Sequence, residues 1–172
     1  MKDVKAELIL NTLDKFYNIP KNNKILVDII TNKKYAKRVI EWFVSNYSKK
    51  KNIIYQLRKK DFDVYHEYKI QLKSYSKEYF DPFRRKNKLN EKFIFKISSV
   101  KIETTIGQLN FFKWAIENKI VDYVILNYNA IKEDMKKTLE KNLNKGQKRK
   151  RLCENAKRVC LKEYNKVTIK FN

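Results

Sequence analysis

The sequence predicts an α+β fold, predominantly helical, with a small C-terminal strand pair. Two observations predict it. Through most of the chain the apolar residues return every three or four positions, the period of a helix with one buried face. Near residues 93–97 and 167–171 apolar and polar side chains alternate instead, the period of a strand. The expected organisation is a helical N-terminal part at 1–81, a basic linker or turn at 82–91, and an α+β C-terminal part at 92–172. All three fit within one compact domain of 172 residues.

The first helix places Val4, Leu8, Leu13 and Phe16 roughly on one face. It stops before Asn18-Ile19-Pro20, because proline disfavours helix in the residue that precedes it. A second apolar run spans Ile25 to Ile30, and Asn32 is positioned to cap a third helix. On that helix Tyr35, Val39, Trp42 and Phe43 mark the buried side. Ser48-Lys49-Lys50-Lys51-Asn52 then reads as an exposed, basic connection. Between Asp61 and Phe80 the residues Tyr65, Tyr68, Leu72, Tyr75 and Tyr79 form one helical stripe, with Asp61 at the N-cap or in the first turn. Asp81-Pro82 ends the helix, and Phe83-Arg84-Arg85-Lys86-Asn87-Lys88 follows as a basic turn.

Beyond the linker, Phe93, Phe95 and Ile97 alternate with Ile94, Lys96 and Ser98. Val167-Thr168-Ile169-Lys170-Phe171 has the same texture, and since neither strand is stable alone each is a candidate partner for the other. Thr105-Ile106-Gly107-Gln108 has the form of a capping box, with Thr105 as N-cap. On the helix it opens, Leu109, Phe112, Ile116 and Ile120 share one face, and Phe111, Trp114 and Ala115 another. Only Asn110, Lys113 and Glu117 leave a polar strip, so this helix is either sandwiched in the core or covers a partner. Helical texture continues through Val121 to Leu126, and a last helix at about Ala130 to Leu143 reads as a solvated face.

Charge is the outlying property. Forty-one Lys and Arg face nineteen Asp and Glu, a formal net charge of +22. Abundant Lys, Asn, Ile and Tyr with scarce Gly and Pro is also what an AT-rich genome produces, but that bias does not explain why the acids lag. Such a field draws in phosphates. The aromatic share of 13% argues against disorder. Cys153 and Cys160 are seven residues apart on a predicted helix, about 10 Å between α-carbons, beyond the roughly 7 Å reach of a disulfide. With one histidine there is no zinc-binding set. Met1-Lys2-Asp3-Val4-Lys5 has no apolar signal core, and no apolar run is long enough for a membrane span. The expected setting is therefore intracellular.

The strongest candidate for function is Lys145-Gly146-Gln147-Lys148-Arg149-Lys150-Arg151, which runs into a helix whose apolar stripe is Leu152, Cys153, Ala156, Val159 and Cys160. The cations flank that stripe, so the helix can pack while presenting charge. Phosphate contacts are accordingly expected at Lys148, Arg149, Lys150, Arg151, Lys157 and Arg158, with Arg84, Arg85 and Lys86 as a second patch. The competing readings of the run are a nuclear-import signal and a solvated helix end. The tyrosine stripe is either core or a platform for unpaired bases.

Catalytic signals are weak by comparison. His66 has no visible partner for acid–base work, and Asp61, Asp63, Glu133 and Asp134 do not make the converging carboxylates of a metal-dependent nuclease. The only glycines are Gly107 and Gly146, so there is no phosphate loop. Glu103, Thr104, Thr105 and Gln108 form one polar cluster that reads as a small pocket or as capping. No catalytic residue, metal site or cofactor is assigned.

The string Glu103-Thr104-Thr105-Ile106-Gly107-Gln108-Leu109-Asn110-Phe111-Phe112-Lys113-Trp114-Ala115 resembles a segment of uncharacterised proteins of the nucleocytoplasmic large DNA viruses. The similarity continues through Asp122-Tyr123, Asp134-Met135 and Lys148-Arg149-Lys150-Arg151 to the terminal strand, over about residues 100–172; the first 90 residues point to no family. The resemblance implies a viral protein of a cytoplasmic factory, nucleus or virion, and supplies no catalytic residues. The expected function is a basic, non-enzymatic nucleic-acid-binding or virion-associated factor. The alternatives are a structural protein, such as a minor capsid component, with an acidic partner, and then an enzyme of nucleic-acid metabolism.

Overall fold

A computed structural model of the chain describes residues 4–31, 37–83, 92–97 and 100–147. The fold is α+β and mostly helical, with two small antiparallel strand pairs. Met1–Met135 form one compact unit; the second begins at Lys136, and its described part is the end of a helix.

Helix α1 (Val4–Tyr17) buries Ile9, Leu13 and Tyr17, four residues apart. The expected face was wrong in part, since Val4 and Leu8 are exposed and only Leu13 is fully buried. Tyr17 decides the rotation: its hydroxyl donates to the Leu109 carbonyl at 2.8 Å, deep in the core, and burial pushes its phenol well above the ordinary value. Helix α2 (Pro20–Thr31) begins on Pro20, whose fixed φ suits the first helical position, and buries Leu26 and Ile29. Helix α3 (Lys37–Trp42) continues through a π-helical turn, Phe43–Tyr47, into α4 (Ser48–Lys51). Val39 and Phe43 are buried as expected, while Tyr35 and Asn32 lie outside the described residues. The Ser48–Asn52 run is thus the end of a helix, closed by Asn52 in the left-handed region at φ 49° and ψ 57°.

Next comes a hairpin the sequence reading missed. Strands β1 (Ile54–Leu57) and β2 (Lys60–Asp63) pair antiparallel, with Tyr55 opposite Phe62 and Leu57 opposite Lys60. The connecting residues Arg58 and Lys59 both have positive φ, 52° and 65°, the pattern of a type I′ turn. Asn-Gly is the usual signal for that turn, and a branched or long side chain there costs roughly 1–3 kcal/mol per residue. Tyr55 and Phe62 hold the hairpin down. Their rings lie 5.3 Å apart, Tyr55 stacks on Tyr123, and its hydroxyl donates to the Asn118 carbonyl at 2.5 Å.

The hairpin also moves the start of the next helix. Helix α5 (Val64–Tyr79) is capped by Asp63, not Asp61. The Asp63 carboxylate accepts the His66 backbone N–H at 3.0 Å, and the His66 ring lies against its other oxygen at 2.9 Å. Ser76 interrupts the helix at φ 59° and ψ 174°.

Strand β3 (Phe93–Ile97) pairs with β4 (Val100–Thr104), Phe93 opposite Thr104 and Ile97 opposite Val100. Among the described residues its partner is therefore the strand that begins three positions on, and the terminal segment 167–171 lies outside them. A short connection closes at small entropic cost. Helix α6 (Ile106–Glu117) then runs through the centre. Leu109, Phe112, Phe111, Trp114 and Ala115 are all buried, so both apolar faces belong to the core. Trp114 meets Phe62, Tyr68, Phe80 and Phe111 at ring distances of 5.4 to 6.5 Å. Asn110, expected on the polar strip, is buried and donates to the Tyr79 carbonyl at 2.9 Å. Helices α7 (Ile120–Leu126) and α8 (Tyr128–Gln147) follow, α8 contributing Ile131 to the core.

Candidate nucleic-acid interface

Lys148, Arg149, Lys150, Arg151, Lys157 and Arg158, and the second patch Arg84, Arg85 and Lys86, lie outside the described residues, as do Cys153 and Cys160. A different cationic surface is on view where α4 meets the start of α5. Tyr68, Leu72, Tyr75 and Tyr79 of the tyrosine stripe pack on the core, as a helical stripe ordinarily does. Tyr65 does not belong to that packing. Its half-buried ring has the Lys49 ammonium 5.3 Å from its centroid and the Lys69 ammonium at 5.8 Å. Lys69 is one helical turn on from Tyr65, and Lys49 is brought in by α4.

Among the described residues these cations differ from their neighbours in having no acid paired with them. Lys50 binds Asp134, which also accepts the Trp42 indole N–H at 3.2 Å. Burial pushes the Asp134 carboxyl up, but the hydrogen bonds from Lys50 and Trp42 outweigh it and hold the group below its ordinary value. Lys113 pairs with Glu117 at 3.0 Å and Lys119 with Asp122 at 3.3 Å. Among the described residues no acid pairs with Lys49, Lys69, or the exposed Arg58, Lys59 and Lys60 of the hairpin turn.

Groups weighed for chemistry are structural. Thr105 caps α6, its hydroxyl accepting the Gln108 N–H at 3.2 Å. The Gln108 side chain does not close a capping box; it donates to the Pro82 carbonyl at 2.8 Å and accepts from Thr104 at 2.9 Å. Thr104, Thr105 and Gln108 are fully buried and Glu103 is exposed, so the polar cluster is a joint between elements. His66 is engaged by the Asp63 cap, and the His66 N–H is the main cause of that carboxyl's lowered pKa. A cleft of about 290 Å³ is lined by Phe16, Lys21, Asn22, Glu117, Lys119 and Asp122, of which Lys119 pairs with Asp122 and Glu117 with Lys113. A smaller one, about 100 Å³, lies beside Glu41, Leu72 and Phe80. Among the described residues no three His, Cys, Asp or Glu side chains gather as a metal site, and no helix is long and apolar enough to cross a membrane.

Lys49 was legible only as part of a basic connection, and Lys69 and the hairpin cations were missed. The Tyr65–Lys69 spacing of four was the available signal for Lys69.

A family model matches residues 2–170, almost the whole chain. The chain belongs to DUF7197, a family of unknown function. The relationship thus extends through the first 90 residues, which had pointed to no family. A DUF7197 chain of this kind is 53% identical over 116 residues to the "Uncharacterized protein L507" of Acanthamoeba polyphaga mimivirus, a nucleocytoplasmic large DNA virus. The match covers 64% of this chain and 45% of the relative, so the chain spans about half the length of the mimivirus protein. No solved structure matches.

Proposed function

We propose that this DUF7197 protein is a nucleic-acid-binding factor that grips phosphates with clustered Lys and Arg side chains. The observation that carries this reading is the α4–α5 surface, where Lys49 and Lys69 flank Tyr65 and no carboxylate of the described residues pairs with them. Cations beside an aromatic ring that is not needed by the core are the components of a surface that holds a backbone and stacks a base. The net charge of +22 supplies the long-range attraction. The basic runs at 148–151 and 84–86, with Lys157 and Arg158, extend the same chemistry along the chain, and the mimivirus relative favours a viral factory or virion as the setting.

The test is fluorescence anisotropy with labelled 30-mer single strands and duplexes at low salt. The full chain should bind, and Lys49→Gln with Lys69→Gln should weaken binding roughly 10- to 100-fold, the effect of losing two phosphate contacts near 0.1 M salt. A full chain that binds neither form sinks the proposal and leaves the acidic-protein partner as the reading to pursue.

A further inference from the structure

We infer that the turn of the β1–β2 hairpin is a preset phosphate contact for double-stranded nucleic acid, made by Arg58, Lys59 and Lys60. This rests on the nucleic-acid reading above and goes further, because it names a second contact surface and the form of the partner.

The backbone of the turn is the first argument. Arg58 and Lys59 stand side by side with φ of 52° and 65°, positions where glycine or asparagine is the unstrained choice. Neither occurs here. The conformation persists because the rest of the hairpin over-determines it: Tyr55 and Phe62 face each other across the strands, Tyr55 is pinned to Asn118 and Tyr123, and Phe62 rests 6.5 Å from Trp114. Strain held by its surroundings at an exposed turn is where a functional constraint is expected.

The second argument is electrostatic and independent of the first. Arg58, Lys59 and Lys60 are consecutive, all exposed, and unpaired with any acid among the described residues. Next to the turn stands Asp61, opposite Gln56, with Asp63 further along the same face. Both repel phosphate, so contact is confined to the turn and does not extend along the strands. Turn cations on a backbone fixed in this way have little freedom to follow a flexible strand. They gain most from a partner whose phosphates are themselves fixed in space, which is a duplex.

The experiment replaces the turn with the sequence its backbone prefers, Arg58→Asn with Lys59→Gly. Binding is measured by anisotropy to a DNA duplex, an RNA duplex and a single strand, and melting by circular dichroism. The inference expects the variant to melt no lower than wild type, because the strain is relieved, while duplex affinity falls roughly 10- to 100-fold near 0.1 M salt. The slope of log affinity against log salt should shrink by about two, and single-strand binding should change far less. Asp61→Asn, which leaves the turn intact, should raise duplex affinity. DNA and RNA arms that both fall assign the duplex backbone in general, and a fall in one alone assigns that duplex. If the full chain binds nucleic acid but both variants bind every form as wild type does, the inference is wrong and the proposed function stands. If the full chain binds no nucleic acid, the proposed function itself has failed.

Discussion

The Trp42 indole donates to Oδ2 of Asp134 at 3.2 Å, while the Lys50 ammonium takes the other carboxylate oxygen. One acid thereby ties two points of the α3–α4 helical stretch, the end of α3 and the end of α4, to the first turns of α8. It also draws Lys50 out of the basic run Lys49-Lys50-Lys51, leaving Lys49 to sit over Tyr65.

Asp134→Ala should lower the unfolding free energy by about 1–3 kcal/mol, the range for hydrogen bonds to a charged group. Most of this belongs to the Trp42 bond, since Lys50 is more than half exposed and its attraction is screened. The Asp134 carboxyl is held below its ordinary value, so its contribution is complete above the unfolded pKa of about 3.9 and is lost as pH falls through the lower folded value. Urea unfolding should therefore show a gap between wild type and variant at pH 7 that narrows as pH falls below the ordinary carboxylate range.

Trp114→Ala should cost roughly 3–5 kcal/mol, because the indole is buried among Phe62, Tyr68, Phe80 and Phe111 and the space cannot refill. Thr105→Ala should cost about 1 kcal/mol through loss of the α6 cap. Denaturant unfolding measures both. A Trp114→Ala protein as stable as wild type would mean that α6 is not the central core helix.

Much of this helical frame was readable because helix signals are local. The Thr105 cap, the two apolar faces of α6 and the Val39–Phe43 face follow from spacings within one or two turns. What failed depended on distant partners or on strain. The buried face of α1 is set by Tyr17 reaching Leu109, which lies far along the chain. The β1–β2 hairpin was invisible because Arg58-Lys59 carries no turn signature, and with it went the true α5 cap, Asp63. At the candidate interface the sequence showed the cations of α4 but not that Tyr65, alone of its stripe, leaves the core to meet them.

Ser76→Gly should raise stability by about 1 kcal/mol. Ser76 occupies φ 59° and ψ 174°, a region close to glycine-only, so the substitution relieves strain. It also gives up the Ser76 hydroxyl that accepts the Glu78 N–H at 3.3 Å, a loss of a few tenths of a kcal/mol. Thermal and urea unfolding should agree in sign; a destabilised variant would show that the hydroxyl outweighs the strain.

The central claim, that clustered cations grip phosphates, is tested most directly by the salt dependence of binding by the full, unmodified chain. Anisotropy titrations between about 50 and 200 mM salt should give a straight line of log affinity against log salt, with affinity falling by roughly 10³–10⁵ if six to ten phosphates are neutralised. The fall should be nearly the same for unrelated sequences of one length and strandedness. An affinity that barely changes over that range, or no binding at its low end, would contradict the account.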